Sequence, residues 1–144
     1  MADAGTTLFH HAFPVRDIAE TRHFYIRVLG CAPARRDTDR AVDFNFFGHH
    51  IIAHLVEGDT AAVHRQAADG ANVAVRHFGV VLPWATWEAL ADRLRDEQVE
   101  FIVAPEVKYE GEPREEALML LADPAGNAIE FKTFRNIDYI FATG

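Results

Sequence analysis

Four side chains have the chemistry to build a reactive centre. His10, His54 and His77 fall on stretches that read as β-strands with apolar neighbours, and Glu130 sits in the run Ala128-Ile129-Glu130-Phe131. A carboxylate between Ile and Phe on a half-buried strand is costly unless it is ion-paired, hydrogen-bonded or bound to a metal. Imidazoles from strands that converge across a sheet supply such a partner through a divalent ion. Two histidines and one carboxylate occupy one face of the ion and leave positions open for substrate or oxygen. The plain alternative is a set of sheet histidines satisfied by backbone or water, with Glu130 salt-bridged to Lys or Arg. Spacing alone does not choose between them, because the candidates lie far apart in the chain. His49 and His50 flank a turn, His64 falls in a polar segment and His23 on the polar side of a helix, so these four are expected to be solvated. Cys31 follows Gly30 in an apolar context and reads as a buried, inert thiol.

The elements that hold these residues read as strand, helix, strands, and then the same again. Residues 9–15 form a short apolar run that ends at Asp17, an N-cap for a helix over 18–29 that Gly30 closes. Ile18, Phe24, Tyr25, Val28 and Leu29 make its apolar stripe, while Glu20, Arg22 and Arg27 face solvent. Residues 41–47 and 51–56 read as a hairpin turning at Gly48. The stretch 57–75 lacks periodicity and reads as a partly helical linker. A strand over 77–82 then leads to a second amphipathic helix over 86–97, with Trp87, Leu90, Ala91 and Leu94 on one side. Strands over 101–104 and 118–122, the turn Asp123-Pro124-Ala125-Gly126 and a strand over 128–134 complete the pattern, and 105–116 reads as a long loop. His10 and His77 precede their helices at similar distances, so they occupy like places in two like units.

Length and composition bound the function. A chain of 144 residues, 49% hydrophobic and 25% charged, suits one compact globular domain. No apolar run approaches the length of a membrane span. With 22 acidic against 14 basic residues the net charge is -8, which opposes binding to a phosphate backbone, so no nucleic-acid partner is expected. A single cysteine and an N-terminus without a basic segment followed by an apolar core point to the cytoplasm.

The segments FHHAFPVRDIAETRHFYIRVLG, HFGVVL and ADPAGNAIEFK resemble the three signature segments of the vicinal oxygen chelate superfamily. Its members include glyoxalase I, extradiol dioxygenases, and fosfomycin- and bleomycin-resistance proteins. The resemblance runs from about residue 8 to 134. It implies an α+β fold of two βαβββ modules whose curved mixed sheets form a cleft (the glyoxalase/bleomycin resistance/dihydroxybiphenyl dioxygenase-like fold). The first module is expected over about 8–57, a linker over 58–75, the second module over 76–134 and a tail over 135–144. The resemblance further implies a divalent metal held by strand residues. Its first ligand falls on His10 rather than His11, since neighbouring strand residues face opposite sides. The second module's first ligand falls on His77 and the carboxylate on Glu130. In the glyoxalase-like branch a fourth ligand comes from the last strand of the first module, where His54 stands. The alternatives for His54 are a hydrogen-bond donor behind the ligands or a core histidine. Extradiol enzymes use a tyrosine and further histidines, which the strand before the 123–126 turn lacks. Tyr109, in the long loop, is the catalytic candidate that remains, against the plain reading of a solvent-facing loop residue.

The function implied is that of a divalent-metal-dependent enzyme whose iron, manganese, nickel, cobalt or zinc ion chelates two adjacent oxygens of a small organic substrate. Dioxygenase-type action is the first expectation. A glyoxalase-like lyase or isomerase, with Glu130 or a bound water moving the proton, is the second, and a non-catalytic drug-binding protein is the competing class. Phe44, Phe46, Phe47, Phe78, Phe101, Phe131 and Phe134 alternate along strands, so some face the concave side and favour an apolar or aromatic substrate. Lys108 and Arg114 are placed to meet a carboxylate at the mouth of such a cleft. The tail 137–141 is apolar enough to dock on its own domain or on a partner subunit, and the resemblance implies a homodimer.

Overall fold

The structure is a computed structural model that describes residues 5–58, 60, 64–68 and 71–143, with 64–68 and 71–75 described as backbone. Two units are present, Met1–Ala62 with Asp123–Asn127 and Val63–Ala122 with Ala128–Gly144. The expected fold class is found: each unit carries a four-stranded mixed sheet with the same βαβββ order.

In the first module β1 (His10–Val15) is followed by α1 (Ile18–Arg22), β2 (Ala32–Asp37), β3 (Ala41–Phe46) and β4 (His49–Leu55), and the sheet order is β1-β4-β3-β2. β1 runs parallel to β4, and the other pairings are antiparallel. Alternation sends Phe13, Val15, Phe44, Ile51 and Ala53 to one face, all buried. There the Tyr25 ring lies 4.9 Å from Phe44 and 5.5 Å from Phe13, so this face packs on the helical segment.

Asp17 caps α1 as its position suggests, its carboxylate accepting from the Glu20 N–H at 2.8 Å. The expected helix over 18–29 does not continue as an α-helix. From His23 to Val28 it widens into a π-helical turn, and the Leu29 N–H donates to the Phe24 carbonyl at 2.9 Å. Gly30, at φ 80°, ends it. The β3–β4 turn places both Phe47 (φ 51°) and Gly48 (φ 93°) in the left-handed region, as a type I′ hairpin requires.

The second module has β7 (His77–Val81), α2 (Trp84–Asp96), β8 (Phe101–Lys108), β9 (Glu116–Ala122) and β10 (Ala128–Phe134), in the order β7-β10-β9-β8. Its helix-facing residues Ala117, Met119, Leu121, Ile129 and Phe131 are wholly buried. On α2, Trp87, Leu90, Ala91 and Leu94 are buried, and the Trp87 indole donates to the Phe131 carbonyl at 2.9 Å.

Three further readings of the sequence need correction. Among its described residues the segment 57–75 carries not helix but the antiparallel pair β5 (His64–Ala68) and β6 (Ala71–Val75). β2 was not foreseen, because its side chains are almost all exposed and show no alternation. β8 continues past residue 104 to Lys108, which shortens the expected 105–116 loop. Pro105 is tolerated there because β8 is an edge strand whose register shifts between Val103 and Glu106. The tail forms a 3-10 turn, Ile137–Phe141, whose Ile137, Tyr139 and Phe141 are exposed. Among the described residues no helix is long and apolar enough to cross a membrane.

Candidate functional site

In the second module the site is built on the parallel pair β7 and β10. His77 stands opposite Ala128 and Gly79 opposite Glu130. Because Ile129 and Phe131 face α2, the residues between them turn the other way, so His77, Gly79, Glu130 and Lys132 share the face away from the helix. His77 Nε2 lies 3.2 Å from Glu130 Oε2. The other carboxylate oxygen is 3.9 Å from Lys132 Nζ, which is also 3.9 Å from Glu116 Oε2. Glu130 therefore has both the metal-type neighbour and the cationic neighbour that its sequence context demands, the histidine being the nearer. A hollow of about 220 Å³ opens here, lined by His77, Gly79, Val81, Glu130 and Lys132 with Phe78 and Val80.

In the first module His10 stands opposite His50 in the β1–β4 register, and Pro14 opposite His54. His10, His50 and His54 share the face away from α1 with Asp43, which pairs with Ile52. His11 takes the other face, its ring 6.4 Å from Phe9 and 5.7 Å from Phe13. Burial, with a smaller contribution from His10, holds its pKa below the ordinary imidazole value. His10 Nδ1 is 2.8 Å from His50 Nδ1, and His50 Nε2 is 3.3 Å from Asp43 Oδ2.

The structure thus brings together His77 with Glu130, and His10 with His50. His54 is exposed and lies further along β4, opposite Pro14 rather than His10. Tyr109 follows β8, the edge strand opposite β7, and at the Phe134 end of β10 rather than the Ala128 end where His77 lies. The Arg114 guanidinium covers its ring at 3.9 Å, so Tyr109 is not gathered with His77 and Glu130. Lys108 and Arg114, read as carboxylate binders, are paired with Glu106 and Glu112. His49 and His50 are not simply solvated: His49 Nδ1 accepts from the Phe9 N–H at 3.1 Å, and His50 lies between His10 and Asp43. Asp43 and His50 are the residues that sequence reasoning missed. Both owe their place to strand register, and the hint in the sequence was an aspartate between Val42 and Phe44 in a strand. Cys31 is buried and in no disulfide.

Among the described residues no three or more His, Cys, Asp or Glu side chains form a ready metal cradle. The donor chemistry nevertheless fits a divalent ion. Two ligands with bonds of about 2.0–2.2 Å stand roughly 3 Å apart on one metal, close to the His77–Glu130 separation of 3.2 Å.

Residues 7–131 match the model of the Glyoxalase/Bleomycin resistance protein/Dioxygenase superfamily. No curated protein sequence matches. Among solved structures, the glyoxalase/bleomycin resistance protein/dioxygenase from Alicyclobacillus acidocaldarius is similar over 95% of this chain and 97% of its own, with 27% identity and a TM-score of 0.74. The fosfomycin resistance protein FosX from Mesorhizobium loti is similar over 94% of this chain and 98% of its own, at 18% identity and a TM-score of 0.64. TioX from Micromonospora sp. ML1 is similar over 90% and 99%, at 14% identity and a TM-score of 0.63. At their identities the last two speak for the fold alone.

Proposed function

Because the chain belongs to the glyoxalase/bleomycin resistance protein/dioxygenase superfamily, we propose that it is a divalent-metal-dependent enzyme of dioxygenase type, acting on a small organic molecule through two adjacent oxygens. Its ligands in this reading are His77 and Glu130 of the second module. The observation that carries the proposal is the 3.2 Å approach of His77 Nε2 to Glu130 Oε2 at the rim of a hollow. When bound, a divalent ion supplies Lewis acidity to the substrate's oxygens.

The chain's own residues do the rest. Lys132, close to Glu130 Oε1, occupies one carboxylate oxygen and leaves Oε2 turned to His77. Phe78, Val80 and Val81 give the hollow apolar lining that favours an apolar or aromatic substrate. A glyoxalase-like lyase or isomerase is the second reading. In it Glu130 or a bound water moves the proton, and His54 would be called on as a further ligand although the register sets it four positions along β4 from His50, the partner of His10. The proposal extends to a cytoplasmic homodimer, which light scattering tests.

Elemental analysis of protein purified without chelator or a nickel column decides between these readings. About one iron or manganese per chain, kept in His54→Ala and lost in His77→Ala with an unchanged melting temperature, supports the proposal, and oxygen uptake with catechol-like substrates then follows. Zinc or nickel that depends on His54 moves the assignment to the lyase or isomerase. Metal undiminished in His77→Ala overturns the site, and protein without metal that still binds ligand is a binding protein.

A further inference from the structure

Lys108 and Lys132 are the only lysines of the chain, every other basic residue being an arginine, and Lys132 lines the hollow beside His77 and Glu130. It follows Glu130 by two residues on β10, so both side chains leave the sheet on the face away from α2. Its neighbours in register are Val81 on β7 and Leu118 on β9, whose side chains offer an ammonium no acceptor. The charges in reach are Glu130 Oε1 and Glu116 Oε2, each 3.9 Å from Nζ, and the Phe134 ring lies 5.3 Å away. A lysine N–H meets a carboxylate at about 2.7–2.9 Å when it hydrogen-bonds. Both carboxylates therefore attract Lys132, and neither closes a hydrogen bond with it. The side chain is only 33% exposed. An ammonium has three donors, and among the described residues no protein acceptor stands within bonding distance of them.

Lys132 thus has donors to offer an anion without giving up a bond, and its place tells which part of a molecule it meets. The Glu130 carboxylate divides the site: Oε2 lies 3.2 Å from His77 Nε2, and Oε1 faces Lys132. A molecule seated in the hollow with its adjacent oxygens on the His77 side extends past Glu130 to the ammonium. The charges agree with this. Glu116, Glu130 and Lys132 together leave one negative charge, and a divalent ion beside His77 and Glu130 turns that into one positive charge, which a monoanion cancels. We propose that Lys132 is a specificity-determining residue that binds an ionised carboxylate of the substrate, so that the molecule accepted is an apolar or aromatic monocarboxylate rather than a neutral one. The seat of the adjacent oxygens rests on the proposed function; the carboxylate contact rests on Lys132.

With so few lysines the contact can be watched directly. Reductive methylation with isotope-enriched methyl groups keeps the charge of each lysine. Carbon–proton spectra of the full chain then show Lys108, Lys132 and the N-terminus, assigned with Lys108→Arg and Lys132→Arg. The probes are 3,4-dihydroxybenzoate and its neutral amide, titrated with an equivalent of zinc present; they share two adjacent hydroxyls and differ in the carboxylate. The benzoate is expected to move the Lys132 signal and leave that of Lys108, and in calorimetry on unmethylated protein to bind about 10-fold tighter than the amide. Lys132→Met keeps the length of the side chain without its charge and is expected to bind both probes alike, whereas Lys132→Arg restores the preference. A disturbed Glu130 weakens both probes together, so their ratio reads the carboxylate contact. A Lys132 signal that the benzoate leaves unmoved or the amide moves equally, or a preference kept in Lys132→Met, overturns the proposal. Should Lys132→Met not fold, the wild-type signal decides alone. Zinc content undiminished in His77→Ala removes the metal reading, while Lys132 is judged on its own signal whether or not zinc is held, so the two failures are told apart.

Discussion

A Cβ placed on Gly79 would stand 1.6 Å from the carbonyl oxygen of Glu130 and 2.7 Å from its carbonyl carbon. Those atoms are backbone and cannot swing aside, so any side chain at position 79 must push β10 from β7 at the level of the proposed ligands. Gly79→Ala is therefore expected to cost about 1–3 kcal/mol by overpacking and to separate Glu130 from His77. Thermal melting reads the first effect and metal content the second, and a variant that melts and loads like the wild type shows that the strands adjust. That Glu130 meets a partner was legible in the sequence, because it is a carboxylate in an apolar strand, and the partner it approaches is His77 at 3.2 Å. The place of His50 was not legible. Its neighbour His10 lies forty residues away, and the parallel register that joins them is not written in either strand alone.

Elements were legible where a local signal marks them. Asp17 ahead of an apolar stripe, and Gly30 behind it, place the first helical segment, and the Asp17 carboxylate does cap it. Asp17→Ala is expected to remove about 1 kcal/mol of stability, seen as a lower midpoint in urea at an unchanged slope; a midpoint equal to the wild type means that water replaces the cap. The π-helical turn carries no such mark. It arises where Phe24, Tyr25, Val28 and Leu29 are all buried, a broader apolar face than regular winding presents to one sheet, and it is set by packing against Phe13 and Phe44. β2 illustrates the opposite case: an exposed edge strand carrying Arg35, Arg36 and Asp37 has no buried face and hence no period to read.

For the molecule as a whole, the repeated βαβββ order was legible because the helices and most strands repeat in sequence, whereas the role of the 123–127 turn was not. Read as a simple bend between β9 and β10, this segment belongs to the first unit, although both strands belong to the second. Its Asp123 carboxylate, 4% exposed, accepts from the Tyr25 hydroxyl, the Ala125 N–H, and the Asn127 N–H and side-chain amide, while that amide also donates to the Pro14 carbonyl. Burial raises the Asp123 pKa above the ordinary carboxylate value, and the hydrogen bonds from Asn127, Tyr25 and Ala125 oppose the rise without cancelling it. The folded chain thus holds this proton more tightly than the unfolded chain, so ionisation costs stability. The loss begins as pH climbs past the unfolded value and is complete above the raised folded one. Asp123→Asn removes the titration. Between about pH 3 and pH 7, the melting temperature of the wild type is therefore expected to fall relative to Asp123→Asn as pH rises, then to run parallel to it. The comparison cancels the remaining carboxylates, including Glu115, whose pKa is lowered by the Gly111 N–H and by Arg135 and which by itself favours the opposite slope. A difference between the two melting curves that is flat across the range, or that grows with pH, shows that the donors around Asp123 outweigh its burial.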